Sequence, residues 1–242
     1  MQPYFFPYLG HLSLIAACDE WIVFDISQYT PRTWMNRNRV LHPAGGCQWV
    51  TVPLVNSSIH IRIRDARMLD PAAARCSVLG HLSHYRRAPN YGLVRGIVEE
   101  TFSSDDASLV RLNVRGLVAV CRAIGLPFRH RTCSELALDL PSTLGPGDWA
   151  PEICAALGAT SYINPAGGHG LFDPATFAQR GIKLDFVTAK PFTYTTGRFS
   201  FEPGLSILDV LMWNPPGAVL GAVQDYALTP PRPVAPPVPD RS

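Results

Sequence analysis

Apolar and polar positions along the chain follow periods that predict both strands and helices. Apolar runs of strand length occupy residues 20–25, 47–54, 161–164 and 183–187. Over residues 59–64, isoleucine alternates with histidine or arginine, which is the two-residue period of a strand. We therefore expect this last strand to carry isoleucines on one face and a basic stripe on the other.

A helical period is clearest over residues 108–124. Five apolar side chains fall on one face there: Val110, Val114, Leu117, Cys121 and Ile124. Ser104 or Asp105 is expected to cap the start of this helix, and Gly125 is expected to end it. Further helices are predicted at residues 90–102, 151–157, 174–179 and 205–213.

The order of these elements predicts an α/β fold with a Rossmann-like, mostly parallel sheet and a helical insert at about residues 70–125. We expect a single domain over residues 1–228. Residues 229–242 contain six prolines and are predicted to form an extended or disordered tail, because proline lacks the amide donor of regular structure. The opening MQPYFFPYLGH is typical of a loop that leaves a buried strand, so we expect the natural start upstream.

Composition and charge narrow the classes of function. The net charge of +2 excludes a polybasic nucleic-acid coat, and no apolar stretch is long enough to cross a membrane. Six dispersed cysteines without a C-x-x-C pair predict reduced thiols in the cytoplasm. Only two of the 21 basic residues are lysines. This bias reflects either a GC-rich genome or, where arginines cluster, the binding of carboxylate or phosphate.

The first candidate motif is QPYFFPYLGH at residues 2–11. Its prolines and glycine fix a turn, and His11 is predicted in the first turn of the next helix, where free backbone N–H groups favour an anion. Gln2 is therefore a candidate for binding substrate, and His11 is a candidate general base. The alternative is a turn that packs its aromatic residues into the core and leaves His11 at the surface.

A second group follows the strand predicted at residues 20–25. Asp25 and Gln28 lie just beyond its carboxyl end, which is where ligands sit in open α/β sheets. Asp25 is the other candidate for the general base, and Gln28 is a candidate for binding substrate.

The run NRNR at residues 36–39 concentrates two amides and two guanidiniums. If Arg37 and Arg39 share a face, they can fork a carboxylate or a phosphate, with Asn36 beside them. The alternative is a solvated loop that contains one structural arginine.

Two further candidate residues, Tyr85 and Asp209, lie later in the chain. Tyr85, in YRRAPNY, either contacts substrate or belongs to a corner between two helices. Asp209 lies inside the apolar run LSILDVL, so its charge needs a partner, such as an arginine, or must point outwards. It could orient Arg37 or Arg39. A structural ion pair is the alternative to a role in binding.

The run YINPAGGHG follows a predicted strand. Asn164 at the strand end is a candidate for binding a ligand, and Gly167 and Gly168 would let the backbone approach that ligand closely. Asp173 is expected to cap the short helix that follows.

Taken in order, these motifs closely resemble the WbqC-like protein family. The resemblance covers residues 1 to about 214, through QPYFFPYLGH, NRNR, TVPL, YRRAPNY, YINPAGG and LSILDVL. It implies a protein of bacterial O-antigen, surface-glycan or specialised-metabolite pathways. His11 stands where the family commonly has an aromatic residue, and Phe172 stands where it often has tyrosine.

A fainter similarity connects Gly10 and His11 to the H-x-G-H nucleotidyltransferases and pantothenate synthetase. It implies that His11 contacts ATP phosphates. The first histidine of that pair is absent here, and no K-x-S-K-S-like loop follows.

These observations together predict a biosynthetic enzyme that transfers an acyl or aminoacyl group to a small amine or amino sugar. We expect its partners to be an anionic or activated small molecule, such as an acyl-carrier or CoA thioester, and neither nucleic acid nor membrane. No cofactor and no metal are expected. Two alternatives stay open: a nucleotidyltransferase or adenylate-forming ligase that uses His11, and a non-catalytic small-molecule-binding or scaffold protein.

Overall fold

A computed structural model describes residues 1–141 and 143–231 of the chain. Two compact units are present. The first comprises Met1–Ala137 and Ala189–Tyr226, and the second comprises the described residues of Leu138–Thr188 together with residues 227–231. The tail predicted at residues 229–242 lies almost wholly outside the described residues, and the single domain predicted over residues 1–228 stays a prediction.

The first unit begins with a loop and a short helix, α1 (Leu9–Ala16). Strand β1 (Trp21–Val23) follows, and then a hairpin of β2 (Arg37–Leu41) and β3 (Cys47–Thr51). The hairpin strands are antiparallel, and their register places Arg39 opposite Trp49.

Three helices occupy the middle of the chain: α2 (Pro71–His81), α3 (Tyr91–Thr101) and α4 (Leu109–Ile124). Strand β4 (His130–Thr132) comes next and pairs in parallel with β1. The helices fall within the insert predicted at about residues 70–125.

The second unit contains α5 (Trp149–Ala156), β5 (Ser161–Pro165), α6 (Pro174–Ala178) and β6 (Lys183–Ala189). Strands β5 and β6 are parallel. The chain then forms α7 (Ile207–Trp213) and α8 (Pro216–Gln224) of the first unit. Strand β7 (Tyr226–Thr229) completes a three-stranded sheet in the order β5-β6-β7.

Helix α4 shows how local sequence fixes an element. Its apolar face is buried, and Gly125 ends it in the left-handed conformation at φ 77°, as predicted. The cap at its start is Ser108, whose side chain accepts from the backbone N–H of Arg111. The expectation of Ser104 or Asp105 as the cap was wrong, because Ser104 Oγ instead accepts from Asp106 N in a turn before the helix.

One predicted strand was also wrong. Residues 59–60 form a turn, Arg62 makes an isolated antiparallel β-bridge with Gln28, and a single 3-10 turn follows at Ile63–Asp65. Ile63 is buried, whereas Ile59 is 51% exposed, so the isoleucines do not share a covered face. Alternation over so few residues does not specify a strand unless a partner strand is available.

The structure confirms a mixed α/β protein in which helices pack with small sheets, one of them a parallel pair. A Rossmann-like arrangement stays a prediction. Among the described residues, no helix combines the length and the apolar character needed to cross a membrane.

Candidate functional site

Strand β2 places two guanidiniums side by side. Its residues alternate between a half-buried face that carries Arg37 and Arg39 and a buried face that carries Asn38 and Val40. This is the period of two that a strand imposes, so the two arginines point to the same side. The condition that the sequence left open, a shared face for Arg37 and Arg39, is met.

Two tryptophans hold these arginines in place. The Arg37 guanidinium lies 4.1 Å from the centroid of the Trp49 ring, and the Arg39 guanidinium lies 5.6 Å from the centroid of the Trp34 ring. The two indoles are 5.4 Å apart. Stacked guanidiniums of this kind gain cation–π attraction and lose little freedom on binding a ligand. We call these four residues, Trp34, Arg37, Arg39 and Trp49, the arginine–indole face.

Most donors of the arginine–indole face make no hydrogen bond to another described residue. Arg37 donates through Nη2 to the carbonyl of Arg32 at 2.6 Å, and Arg39 donates through Nη2 to the carbonyl of Gly204 at 3.4 Å. The Nε atoms of both arginines are buried without a hydrogen-bond partner in the described part of the chain. Within residues 1–141 and 143–231, no carboxylate lies within 4.0 Å of either guanidinium. Both guanidiniums therefore keep donors and a positive charge that no described residue uses.

The amide side chains of Asn36 and Asn38 form hydrogen bonds in the core and not on the arginine–indole face. Asn36 accepts from the hydroxyl of Tyr29 at 3.2 Å and donates to the carbonyl of Val52 at 3.1 Å. Asn38 donates to the carbonyls of Phe5 and Phe6, at 3.1 and 2.8 Å. The binding role predicted for Asn36 stays a prediction, and the hydrogen bonds that the structure gives it are structural.

The N-terminal loop is tied to residues far away in sequence. Besides Asn38, Ser206 Oγ donates to the carbonyl of Phe6 at 2.7 Å, and Asn113 Nδ2 donates to the carbonyl of Pro3 at 2.9 Å. Phe6 adopts a φ of +38°, a region that costs energy for a side chain larger than glycine. These bonds hold the strained turn, while Gln2 lies half-buried just before it.

His11 lies in the core. Its side chain is 1% exposed and packs between the rings of Tyr4 and Trp21, with centroids 4.9 and 5.0 Å away. Burial, and secondarily the N-terminal ammonium group, lowers the pKa of His11 to about 3. The imidazole is thus neutral at physiological pH, and its Nε2 has no hydrogen-bond partner in the described residues. A catalytic role for His11 stays a prediction.

Asp25 joins the ends of two strands. Its carboxylate accepts from the backbone N–H of Ser134 at 3.0 Å and from Ser134 Oγ at 2.6 Å. Burial, and secondarily the nearby Asp25 charge, raises the pKa of the neighbouring Cys133 thiol to about 11. The exposed Gln28 donates through Nε2 to the carbonyl of Ile59. The roles predicted for Asp25 and Gln28 are not tested by these contacts, although both carboxylate oxygens of Asp25 are already engaged.

Asp209 is fully buried and is held by two tyrosines. Tyr85 donates to Oδ2, and Tyr194 donates to Oδ1 at 2.9 Å. The backbone N–H of Leu41, at the end of β2, donates to the Tyr85 hydroxyl at 2.7 Å. Burial raises the pKa of Asp209, while the tyrosine hydrogen bonds oppose that shift. The pKa values of Tyr85 and Tyr194 are raised by burial and by the Asp209 charge.

The expected arginine partner of Asp209 is therefore replaced by two phenols. Neutral donors avoid the desolvation free energy of a second buried charge. Two phenols therefore stabilise this buried carboxylate at a lower cost than an arginine would. Tyr194 was missed at the sequence level, because no local pattern marks it. Trp34 and Trp49 were also missed, although their positions on either side of NRNR could have suggested stacking on its arginines.

The second unit contains the remaining predicted residues. Asn164 is buried at the end of β5, where it accepts from the hydroxyl of Tyr162 at 3.1 Å and donates to the carbonyl of Pro165 at 3.1 Å. A methyl group on Gly168 would overlap Asn164 Nδ2, whereas Gly167 faces open space. Asp173 caps α6 as predicted. Glycine at position 168 thus lets the Asn164 side chain approach the backbone closely. Ligand binding at Asn164, Gly167 and Gly168 stays a prediction.

Comparison with known proteins identifies a family and a relative of this chain. A family model described as the WbqC-like protein family matches residues 2–220. The uncharacterized protein Rv1507c of Mycobacterium tuberculosis is 28% identical over 216 residues, which cover 87% of this chain and 90% of that protein. No solved structure matches the chain. Because the family model spans nearly all of the folded residues, the chain belongs to the WbqC-like protein family.

Proposed function

We propose that the protein binds the anionic group of an activated small molecule at the arginine–indole face. In this proposal it serves acyl or aminoacyl transfer to an amine or amino sugar, in a cytoplasmic pathway that makes a bacterial surface glycan or a specialised metabolite. One observation carries the binding step: Arg37 and Arg39 lie side by side, stacked on indoles, with no ion-pair partner among the described residues.

Electrostatics favours an anion at this position. Arginine stays charged at any physiological pH. Side chains two residues apart on a strand are separated by roughly 7 Å, so the two like charges repel by about 2 kcal/mol at an effective dielectric constant of about 20. An anion that accepts from both guanidiniums removes this repulsion and fills their unused donors.

The transfer step has less support than the binding step. An attacking amine needs a base, and the two predicted bases are Asp25 and His11. Asp25 is engaged by Ser134, and His11 is enclosed by Tyr4 and Trp21. Acyl or aminoacyl transfer from a thioester donor therefore rests on the pathways that the family resemblance implies, and the arginine–indole face supports recognition of the donor or acceptor.

Two other functions stay open as alternatives. A nucleotidyltransferase or adenylate-forming ligase would need His11 at a phosphate, and a side chain that is 1% exposed argues against this alternative. A non-catalytic binding or scaffold protein would use the arginine–indole face in the same way as the enzyme. Only product formation separates that alternative from the transferase.

Binding is tested first, by calorimetry with inorganic phosphate, acetate and acetyl-CoA as probes. We expect at least one of these anions to bind, and Arg37→Gln and Arg39→Gln to weaken that binding at least about tenfold, or about 1.4 kcal/mol. Arg95→Gln is the control, because Arg95 is exposed on α3 and pairs with Glu99. Undiminished binding in both site variants would contradict the proposal, as would a failure of all three anions to bind.

Transfer is tested separately. Acetyl-CoA and glucosamine are incubated with the protein, and release of the free thiol is followed. Thiol release that is lost in Arg37→Gln and Arg39→Gln supports the transferase. Binding without thiol release from any thioester–amine pair would support the non-catalytic alternative.

A further inference from the structure

We infer that the ligand of the arginine–indole face is a phosphate dianion esterified to a ring, and not a carboxylate. This inference rests on the proposed anion binding and names the chemical class of the anion. Three features of the face carry it: its uncompensated charge, the number of donors it offers, and the exposed indole beside it.

The uncompensated charge amounts to two units. Elsewhere in the described residues, five arginines each pair with a carboxylate: Arg95, Arg111, Arg122, Arg131 and Arg180. Arg37 and Arg39 do not, and neither do ten other described arginines; what distinguishes these two is that they share one face of a strand beside two indoles. A monocarboxylate neutralises only one of these two charges, whereas a phosphate monoester carries about −1.5 to −2 at neutral pH. Charge matching therefore favours the phosphate ester.

The donors of the face also outnumber the oxygens of a carboxylate. A carboxylate has two oxygens, and the fork of a single guanidinium already occupies both. A phosphate monoester has three terminal oxygens, so it can accept from Arg37 and Arg39 together. The stacking on Trp49 and Trp34 fixes both guanidiniums before the ligand arrives, which lowers the entropic cost of such a two-sided contact.

The ring is inferred from Trp49. Its side chain is 41% exposed although it stacks on Arg37, so part of the indole faces solvent directly beside the guanidinium. An exposed indole offers a flat apolar surface with a polar edge, which suits a sugar or base ring attached to the phosphate. Sugar phosphates and nucleotides share this chemistry.

The test compares four probes by calorimetry at one ionic strength: inorganic phosphate, glucose 1-phosphate, uridine monophosphate and gluconate. We expect glucose 1-phosphate or uridine monophosphate to bind at least about tenfold more tightly than gluconate. Whichever of the two binds more tightly identifies the source of the ring. Trp49→Ala should weaken the binding of the ring-bearing phosphate more than it weakens the binding of inorganic phosphate. Leu69→Ala, which truncates another exposed apolar side chain, should change neither.

The outcomes separate this inference from the proposed function. If gluconate binds as tightly as the phosphate esters, the phosphate inference is wrong while anion binding stands. If inorganic phosphate binds as tightly as both esters, the ring part is wrong. If none of the four probes binds, this inference fails, and the proposed function fails with it only if acetate and acetyl-CoA do not bind either. Trp49→Phe keeps an aromatic ring, so we expect it to retain most of the preference for a ring-bearing phosphate over inorganic phosphate. If Trp49→Ala loses binding because it misfolds, Trp49→Phe still tests the role of the ring.

Discussion

Tyr194 donates a 2.9 Å hydrogen bond to one carboxylate oxygen of Asp209, while Tyr85 donates to the other. Tyr194 belongs to a stretch between β6 and α7 that has no regular secondary structure, and Asp209 lies in the first turn of α7. The Tyr194 hydrogen bond therefore helps to fasten an irregular stretch to the buried end of a helix.

Removing the Tyr194 hydroxyl should destabilise the first unit. Tyr194→Phe leaves Oδ1 of Asp209 buried without its donor, which costs about 1–3 kcal/mol. At roughly 2–4 °C per kcal/mol for a protein of this size, the melting temperature should fall by several degrees. Tyr91→Phe, a control on helix α3, should melt within about a degree of the wild type. Equal melting temperatures for Tyr194→Phe and the wild type would contradict this account.

The buried His11 should make the protein sensitive to acid. Its pKa is lowered from 6.5 to about 3 in the folded state, so between these values the unfolded chain binds a proton that the folded chain does not. The stability that neutral His11 contributes is therefore complete above pH 6.5 and is lost as the pH falls toward 3.

This acid sensitivity can be measured by urea unfolding at about pH 7, 6 and 5, where one such proton contributes a slope of up to about 1.4 kcal/mol per pH unit. His11→Phe should have a shallower slope than the wild type. His60→Phe, at an exposed position, should keep the wild-type slope. Parallel curves for His11→Phe and the wild type would contradict the prediction.

The amide of Asn38 should be required for the N-terminal turn. Asn38→Ala removes two donors to buried carbonyls, those of Phe5 and Phe6. At about 1 kcal/mol for each hydrogen bond, with a further cost for the Phe5 carbonyl that is left unpaired, we expect a loss of about 2–4 kcal/mol. The Phe6 carbonyl still accepts from Ser206. Chemical unfolding of Asn38→Ala beside Asn56→Ala, an exposed position, measures the difference. A loss of under about 0.5 kcal/mol would show that the turn does not need this clamp.

Two neighbouring glycines provide a matched pair in the second unit. Gly168→Ala forces a methyl group onto Asn164 Nδ2, while Gly167→Ala projects the same group into open space. Overpacking of this kind typically costs about 1–3 kcal/mol. We expect Gly168→Ala to lower the melting temperature and Gly167→Ala to leave it nearly unchanged. The reverse order would mean that the loop after β5 is held by something other than Asn164.

Elements with a strong local signal could be predicted from the sequence. Helix α4 has an apolar face over four turns and a glycine at its end, and both features act within a few residues. Strand β2 was missed because NRNR has no apolar alternation. It is a strand because residues 42–46 turn the chain back, so that β3 can pair with it.

The candidate site depends more heavily on distant contacts. The shared face of Arg37 and Arg39 follows from local geometry once β2 is recognised. The partners of Asp209 do not, since Tyr85 lies 124 residues away and neutral phenols carry no charge pattern to match. The burial of His11 likewise depends on Trp21 and Tyr4, whose packing no helical period specifies.

The long-range bonds of the N-terminal turn also set the order in which the chain can mature during synthesis. The carbonyl of Phe6 accepts a hydrogen bond from Ser206, which is synthesised 200 residues later. At roughly 5–20 residues per second, a ribosome needs on the order of 10–40 s to deliver that partner. During this interval, the aromatic residues at positions 4–8 have left the ribosome but lack the hydrogen bond from Ser206. A segment made 200 residues before its partner is thus among the last to be secured, and a chaperone that shields aromatic residues could act on it during this interval.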